Sequence, residues 1–316
     1  MWKRPALFRL GLSKSWIHST NALAASRPAH PNPISRHLIL GGAFMFGTFT
    51  VCAVLERKRA PVIHSSRIWE KYPRHWDKKE TQDLIEVERF PLFDRLVKRA
   101  SNISESSKTI GAISALNFAV FLLWKSKAPS IQRLLENLFV SRPKSRLFLP
   151  HLLSGFSHNS ASHLAFNMMA LWSFGTVVCD AYGSEQFCFV YTSSLIMSSL
   201  FSHAFSNKIG RIKPSLGASG GILALVSMFT FMHPNHEIML IFLPFFSFPA
   251  WAGVAGLAAF DSLGVILGWR VFDHAAHLGG LAFGYLYSLK LQQYTWGCRR
   301  KLTDGLGVHP PRNSRS

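Results

Sequence analysis

The chain has 316 residues, 48% hydrophobic and 13% aromatic but only 16% charged, with a formal net charge of +19. That charge content lies well below the roughly 25% of a soluble domain, so the apolar residues are gathered into spans. The basic excess sits outside those spans without a basic helix bearing base-reading residues, which argues against a nucleic-acid partner.

Residues 1–36 read as a mitochondrial presequence. No acid precedes Glu56, and Lys3, Arg4, Arg9, Lys14, Arg27 and Arg36 alternate with Ala, Leu, Phe, Ser and Trp. Trp2, Ala6 and Leu10 recur at helical spacing and make one apolar face. A basic, serine-bearing, acid-free segment is the transit-peptide pattern, whereas a secretory signal needs an apolar core that does not begin before Leu38. Residues 38–55 then supply about 18 apolar positions, enough for a transmembrane helix. Residues 56–108 mix Lys and Glu with Pro61, Pro73 and Pro91 and read as a solvated connection. The second span is 110–124. Residues 128–150 place Ile131, Leu134, Leu135 and Leu138 at helical spacing in a basic stretch, as expected of a helix on the membrane surface. Five further spans follow, at 161–182, 186–206, 219–232, 238–260 and 274–291. The expected fold is therefore all-α: a polytopic helical bundle with one extra N-terminal helix (37–55) and a six-helix core (109–292). Residues 293–316 form a basic tail with Gly and Pro, expected to be poorly ordered. Cys52, Cys179, Cys188 and Cys298 are scattered without a CxxC pair, so neither a disulfide framework nor a zinc site is expected.

Two spans carry polar residues that serve poorly as filler. Gly217-Ala218-Ser219-Gly220 opens the fifth, and His277 stands in the seventh. Polar groups within a bilayer are costly and by default mark function. A histidine brought against Ser219 would take its proton and make it a nucleophile. The fifth span is also short: 219–233 is about 15 residues, roughly 22 Å at 1.5 Å each, against a hydrocarbon core of about 30 Å. It is expected to start part-way into the membrane, with residues 213–217 dipping in as non-helical backbone. Such backbone is tolerated only where it is buried in protein or lines a wet cavity, and Ser219 would lie at the floor of that cavity. The alternative is a short helix in a thinned bilayer.

In the seventh span Ala276, Gly280 and Gly284 recur every four residues, a small-residue stripe that permits close helix contact. Gly220 and Gly221 give the fifth span a matching surface. The glycines alone would signify packing; with Ser219 and His277 they point to a catalytic pair. His163 and Asn167, four apart, share one helix face. Both can donate hydrogen bonds, and with the Ser219 N–H they would suit the oxyanion formed in acyl transfer. Read alone, they would equally suit a helix end beside Ser160 and Ser162.

These residues resemble the rhomboid family of intramembrane serine proteases. GASG at 217–220 matches its GxSG motif, HLAFN at 163–167 its HxxxN motif, and AHLGG at 276–280 its last-helix histidine motif. The order is the family's, over residues 110–291. The extra helix, the transit-like N-terminus and the run LGWRVFDHAAHLGG resemble the mitochondrial, presenilin-associated rhomboid-like branch. The resemblance implies Ser219 as nucleophile, His277 as general base, and His163 and Asn167 in the oxyanion hole. It also implies single-span transmembrane substrates, cut near Gly, Ala or Ser, in the mitochondrial inner membrane. No cofactor is expected, because Ser–His acyl transfer is self-contained. His158 falls where the family often has another loop histidine and reads as structural.

Two departures stand out. RLFLPH at 146–151 lacks the family's Trp-Arg pair. Leu223 replaces a Tyr that often stacks on the histidine, so the imidazole must be held otherwise. Asp273, one turn before His277, reads as a helix N-cap rather than a third catalytic group. Pro244 and Pro249 interrupt the sixth span among Phe245, Phe246, Phe248 and Trp251. Bent by proline, it is expected to act as a substrate gate with Trp251 facing Phe166; the alternative is that these rings meet lipid. Other chemistries lack their motifs. Leu240 stands where HExxH would need its second histidine after His236-Glu237, and no paired GxGD aspartates occur. A metal on His274 and His277 would need a carboxylate or Cys partner, and none lies nearby in sequence. A catalytically inactive, client-binding relative would typically have lost Ser219 or His277, and a transporter would show paired broken helices.

Overall fold

The computed structural model describes residues 34–59, 103–208, 214–240, 243–269 and 271–309. Residues 1–33, nearly all of the expected presequence, and 60–102 of the expected connection lie outside the described residues, while residues 34–36 already belong to the first helix. Among the described residues seven helices make the bundle: α1 (Ile34–Arg59), α2 (Glu105–Leu123), a surface helix α3 (Pro129–Leu138), a short α4 (Pro150–Leu153) and α5 (Ala161–Tyr182) lead to α6 (Ser184–Lys208), α7 (Ser219–Met232), α8 (Ala250–Leu267) and α9 (His274–Leu286), with α3 and α4 outside the seven. A last helix, α10, covers Arg299–Gly305. Among these, α1, α2, α5, α6 and α8 are long and apolar enough to cross a membrane. The fourteen-residue α7 is too short by that measure, and α9 gains length by continuing through a π turn at Tyr287–Leu291. The architecture is a polytopic helical bundle of the type the sequence implied.

Helix starts follow their capping chemistry. Ser104 accepts from Ser107 N–H at the head of α2, and Ser160 from His163 N–H at the head of α5. Asp273 accepts from Ala276 N–H at 3.1 Å, so it caps α9, as an acid at that position should. The core centres on α6, whose most apolar window is 72% buried, against 17% for α8.

The extra helix α1 packs on α6 where Gly41 meets Leu200 and Ile196. Its N-terminal end is tied to the core by a buried polar chain. His37 Nδ1 lies 3.0 Å from His151 Nε2 and His151 Nδ1 lies 2.9 Å from Ser199 Oγ; Ser199 in turn reaches Ser141, which reaches His203 Nε2. Burial, with His203 and His37 beside it, pushes the His151 imidazole down to about 3, so it works there as a neutral hydrogen-bonding group. This is what occupies the loop that lacks the Trp-Arg pair. The same loop braces Gly217, whose N–H donates to the Ser154 carbonyl at 2.9 Å. The N-terminal end of α1 therefore lies on the same side of the bundle as Ser219.

Two sequence expectations are corrected. The apolar run 238–260 is not one bent helix. Residues Glu237–Leu240 and Leu243–Pro249 pair as an antiparallel hairpin, and the helix begins only at Ala250. Two prolines and a cluster of phenylalanines disfavour helix and suit short edge strands. The tail is also not all loose. Arg299 on α10 pairs with Glu56, and Asp304 with Arg57 at 2.9 Å, so the tail fastens the far end of α1.

Candidate active site

Ser219 is the first residue of α7, and Ala218 before it makes no side-chain cap. The first-turn N–H groups of a helix have no intrahelical acceptor, so those beside Ser219 stay available to an anion. Gly217 adopts φ +125, where a side chain would be strained. A Cβ there would also stand 3.0 Å from His163 Nε2 and 4.0 Å from Ser219 Oγ. The absent side chain is what lets the His163 ring sit beside the serine.

The structure places Ser219 Oγ 2.8 Å from His277 Nε2. The approach depends on the glycine stripe. Cβ atoms on Gly280 and Gly284 would run into the Gly220 and Ala224 carbonyls of α7, so backbone meets backbone at two successive turns. Gly220 gives the other side of α7 the same clearance against Ser198.

The imidazole is held by a residue that sequence reading missed. His277 Nδ1 lies 3.0 Å from Asp261 Oδ1, and His274 Nδ1 lies 2.7 Å from the same oxygen. Asp261 sits on α8 and is 1% exposed. As a carboxylate it accepts from both Nδ1–H groups, which leaves His277 Nε2 as the acceptor facing Ser219. Phe272 adds a ring at 6.1 Å from His277. Asp261 and Phe272 thus do what a stacked Tyr at Leu223 would do. The carboxylate partner that His274 and His277 lacked in sequence is also Asp261, brought over from another helix.

His163 and Asn167 lie one turn apart on α5. His163 Nδ1 is 3.0 Å from Asn159 Oδ1, and one N–H of the buried Asn167 amide donates to the His163 carbonyl at 2.8 Å. His158 packs edge-on against His163 at 4.9 Å. Burial, with His163 alongside, pushes His158 down to about 3, so it is a neutral support for the His163 ring.

Of the two gate candidates, Phe166 stays at the level of the site beside Asn167 and is 44% exposed. Trp251 does not. Its backbone N–H donates to the Pro234 carbonyl, just past the C-terminal end of α7, whereas Ser219 is at the N-terminal end. It lies about 15 Å along α8 from Asp261, because the helix starts only at Ala250. The half-exposed rings at the level of the histidines are Phe260, Trp269 and Phe272, each against His274.

Comparison with known proteins agrees with this geometry. The rhomboid domain matches residues 145–294, which hold Ser219, His277, His163, Asn167 and Asp261. Presenilin-associated rhomboid-like protein, mitochondrial, of Bos taurus is 35% identical over 86% of this chain and 72% of its own length, and the Homo sapiens protein of that name matches to the same extent. Rhomboid protein 1, mitochondrial, of Saccharomyces cerevisiae is 37% identical over 56% of this chain and 51% of its own. With its apolar helices, these relatives make the chain a mitochondrial membrane protein. A serine and a histidine joined across a glycine seam, in a helical bundle with such relatives, place the chain in the rhomboid family, with presenilin-associated rhomboid-like proteins among its relatives.

Proposed function

We propose that the chain is an intramembrane serine endopeptidase of the mitochondrial inner membrane that cleaves single-span transmembrane proteins. The observation that carries this is the 2.8 Å contact between Ser219 Oγ and His277 Nε2, with His277 Nδ1 on Asp261. Ser219 Oγ attacks the scissile carbonyl as its proton passes to His277 Nε2. Asp261 keeps the other ring nitrogen protonated and steadies the imidazolium that forms. His277 then gives the proton to the leaving amine, and water repeats the sequence on the acyl-enzyme. The oxyanion is met by the Ser219 N–H, by the second N–H of Asn167 and, with the Asn159 amide turned so that its NH2 donates to His163 Nδ1, by His163 Nε2–H. The test is a fluorophosphonate probe with the purified protein: covalent capture mapped to Ser219, lost in His277→Ala, is expected.

Asn167→Ala should lower turnover of a transmembrane substrate by about 10²–10³-fold with little change in KM, the loss expected for one oxyanion donor. Unchanged turnover in both Asn167→Ala and His163→Ala would remove these residues from the reaction. Asp261→Asn should also act on kcat. An amide donating to Nδ1 forces the proton onto Nε2, the wrong tautomer, which in serine proteases costs up to about 10⁴-fold. A loss of at least about tenfold measured as initial rate is expected; wild-type rates would reduce Asp261 to a packing group.

A further inference from the structure

We infer that Asp261, His274 and His277 form a binding site for a transition-metal ion of the zinc class, and that occupancy switches the dyad off. The inference rests on the dyad reading above. Each of the three residues offers a donor atom, and these atoms all lie within 4.8 Å of one another. The two Nδ1–Oδ1 separations are 2.7 and 3.0 Å. Zinc bonds of about 2.0–2.2 Å in a tetrahedron put ligand atoms roughly 3.3 Å apart, so modest ring rotations open the cluster to the size of the ion. A second observation points the same way. Asp261 Oδ2 and His274 Nε2 are buried without a hydrogen-bond partner, although buried polar atoms are rarely left so. The free Oδ2 gives the carboxylate a second lone-pair face for a cation. Two imidazoles with one carboxylate favour zinc, cobalt, nickel or copper over magnesium or calcium, which prefer all-oxygen sets. His277 is the exposed edge of the cluster, at 15% side-chain exposure against 3% and 1% for His274 and Asp261, so an ion enters from the serine side.

Inhibition follows from the proton count. In the working site His277 carries its one proton on Nδ1, toward Asp261, and presents a bare Nε2 to Ser219. A metal ion on Nδ1 displaces that proton to Nε2. The ring stays neutral and no proton is released, but Nε2–H now donates to Ser219 Oγ and cannot accept from it. His274 undergoes the same exchange onto its unpartnered Nε2. The metal thus disables the base without moving the serine.

The test uses the full-length protein in detergent, with Co²⁺ as a visible probe. In the Ser219→Ala protein, Co²⁺ should bind at one per chain with the intense bands of a low-coordinate nitrogen–oxygen site, displaced by Zn²⁺. His274→Phe and Asp261→Asn should each weaken that binding by at least about tenfold, as loss of a coordinating or supporting group does. If one variant loses its helical circular dichroism, the other decides. In the active protein Zn²⁺ should slow cleavage, a chelator should restore it, and equal Mg²⁺ or Ca²⁺ should leave it unchanged. Absence of the bands, or Co²⁺ binding equal to the parent in the folded variant, would overturn the inference. The spectral arm needs no substrate, so a protein that binds Co²⁺ but cleaves nothing refutes the protease reading alone, and one that cleaves but binds no metal refutes this site alone.

Discussion

Ser219→Ala and His277→Ala should each abolish cleavage of a single-span substrate in proteoliposomes, by about 10⁶-fold if the pair acts as a serine–histidine unit does elsewhere. The double variant should be no slower than either single one, because removal of one member already idles the other. The geometry makes this a clean test. Ser219 Oγ has its hydrogen bond to His277, and α7 is fixed by packing along its length, with Ala224, Leu225 and Met228, and Ala218 just before it, fully buried. Neither alanine should disturb the fold, and unfolding temperature and helical dichroism should stay near wild type. Substantial turnover by Ser219→Ala would sink the assignment of Ser219 as the nucleophile, and no turnover by the wild type would leave a client-binding rhomboid relative as the reading.

Much of the bundle was legible in sequence because hydrophobic length and small-residue spacing are local signals. The spans at 38–55, 161–182, 186–206 and 219–232 match described helices to within a few residues. The pairing of Ser219 with His277 was legible for a different reason: polar residues flanked by glycine are conspicuous in apolar runs. The failures around the site share a cause in Ile238–Phe260. Hydropathy cannot tell a strand of phenylalanines from a helix, so the hairpin was read as span, and the helix was closed one residue before Asp261. Pro244 and Pro249 were the usable signal, since each removes a backbone donor. A lone acid inside 250–267 was a second, because such residues in a membrane helix are functional by default. The partnership of Asp261 with His274 and His277 depends on how α8 packs on α9, and no spacing along the chain encodes that. Trp251 was misplaced by the same error: a helix started at Ile238 carries it thirteen residues into the span, whereas it is the second residue of α8.

Gly280→Ala should cost activity out of proportion to its size. One methyl group placed on Gly280 would stand 3.2 Å from the Gly220 Cα and closer still to its carbonyl oxygen, and on Gly284 it would stand 2.8 Å from the Ala224 carbonyl carbon. Carbon atoms pack at about 3.5–4.0 Å, and backbone cannot rotate aside as a side chain does. The two helices must therefore part by about an ångström. A misplacement of that size can cost about 10²-fold in rate, although every catalytic residue remains. Overpacking should also lower stability by about 1–3 kcal/mol, read as a fall in unfolding temperature. Gly256→Ala is the matched control: its Cβ meets nothing within 4 Å, so rate and unfolding temperature should not fall. The split matters for interpretation. If Gly280→Ala lowers kcat and leaves fluorophosphonate capture slow but complete, the seam sets the distance between Ser219 and His277. If Gly280→Ala and Gly284→Ala both turn over like wild type, the close approach of α7 and α9 is not what brings the serine to its base.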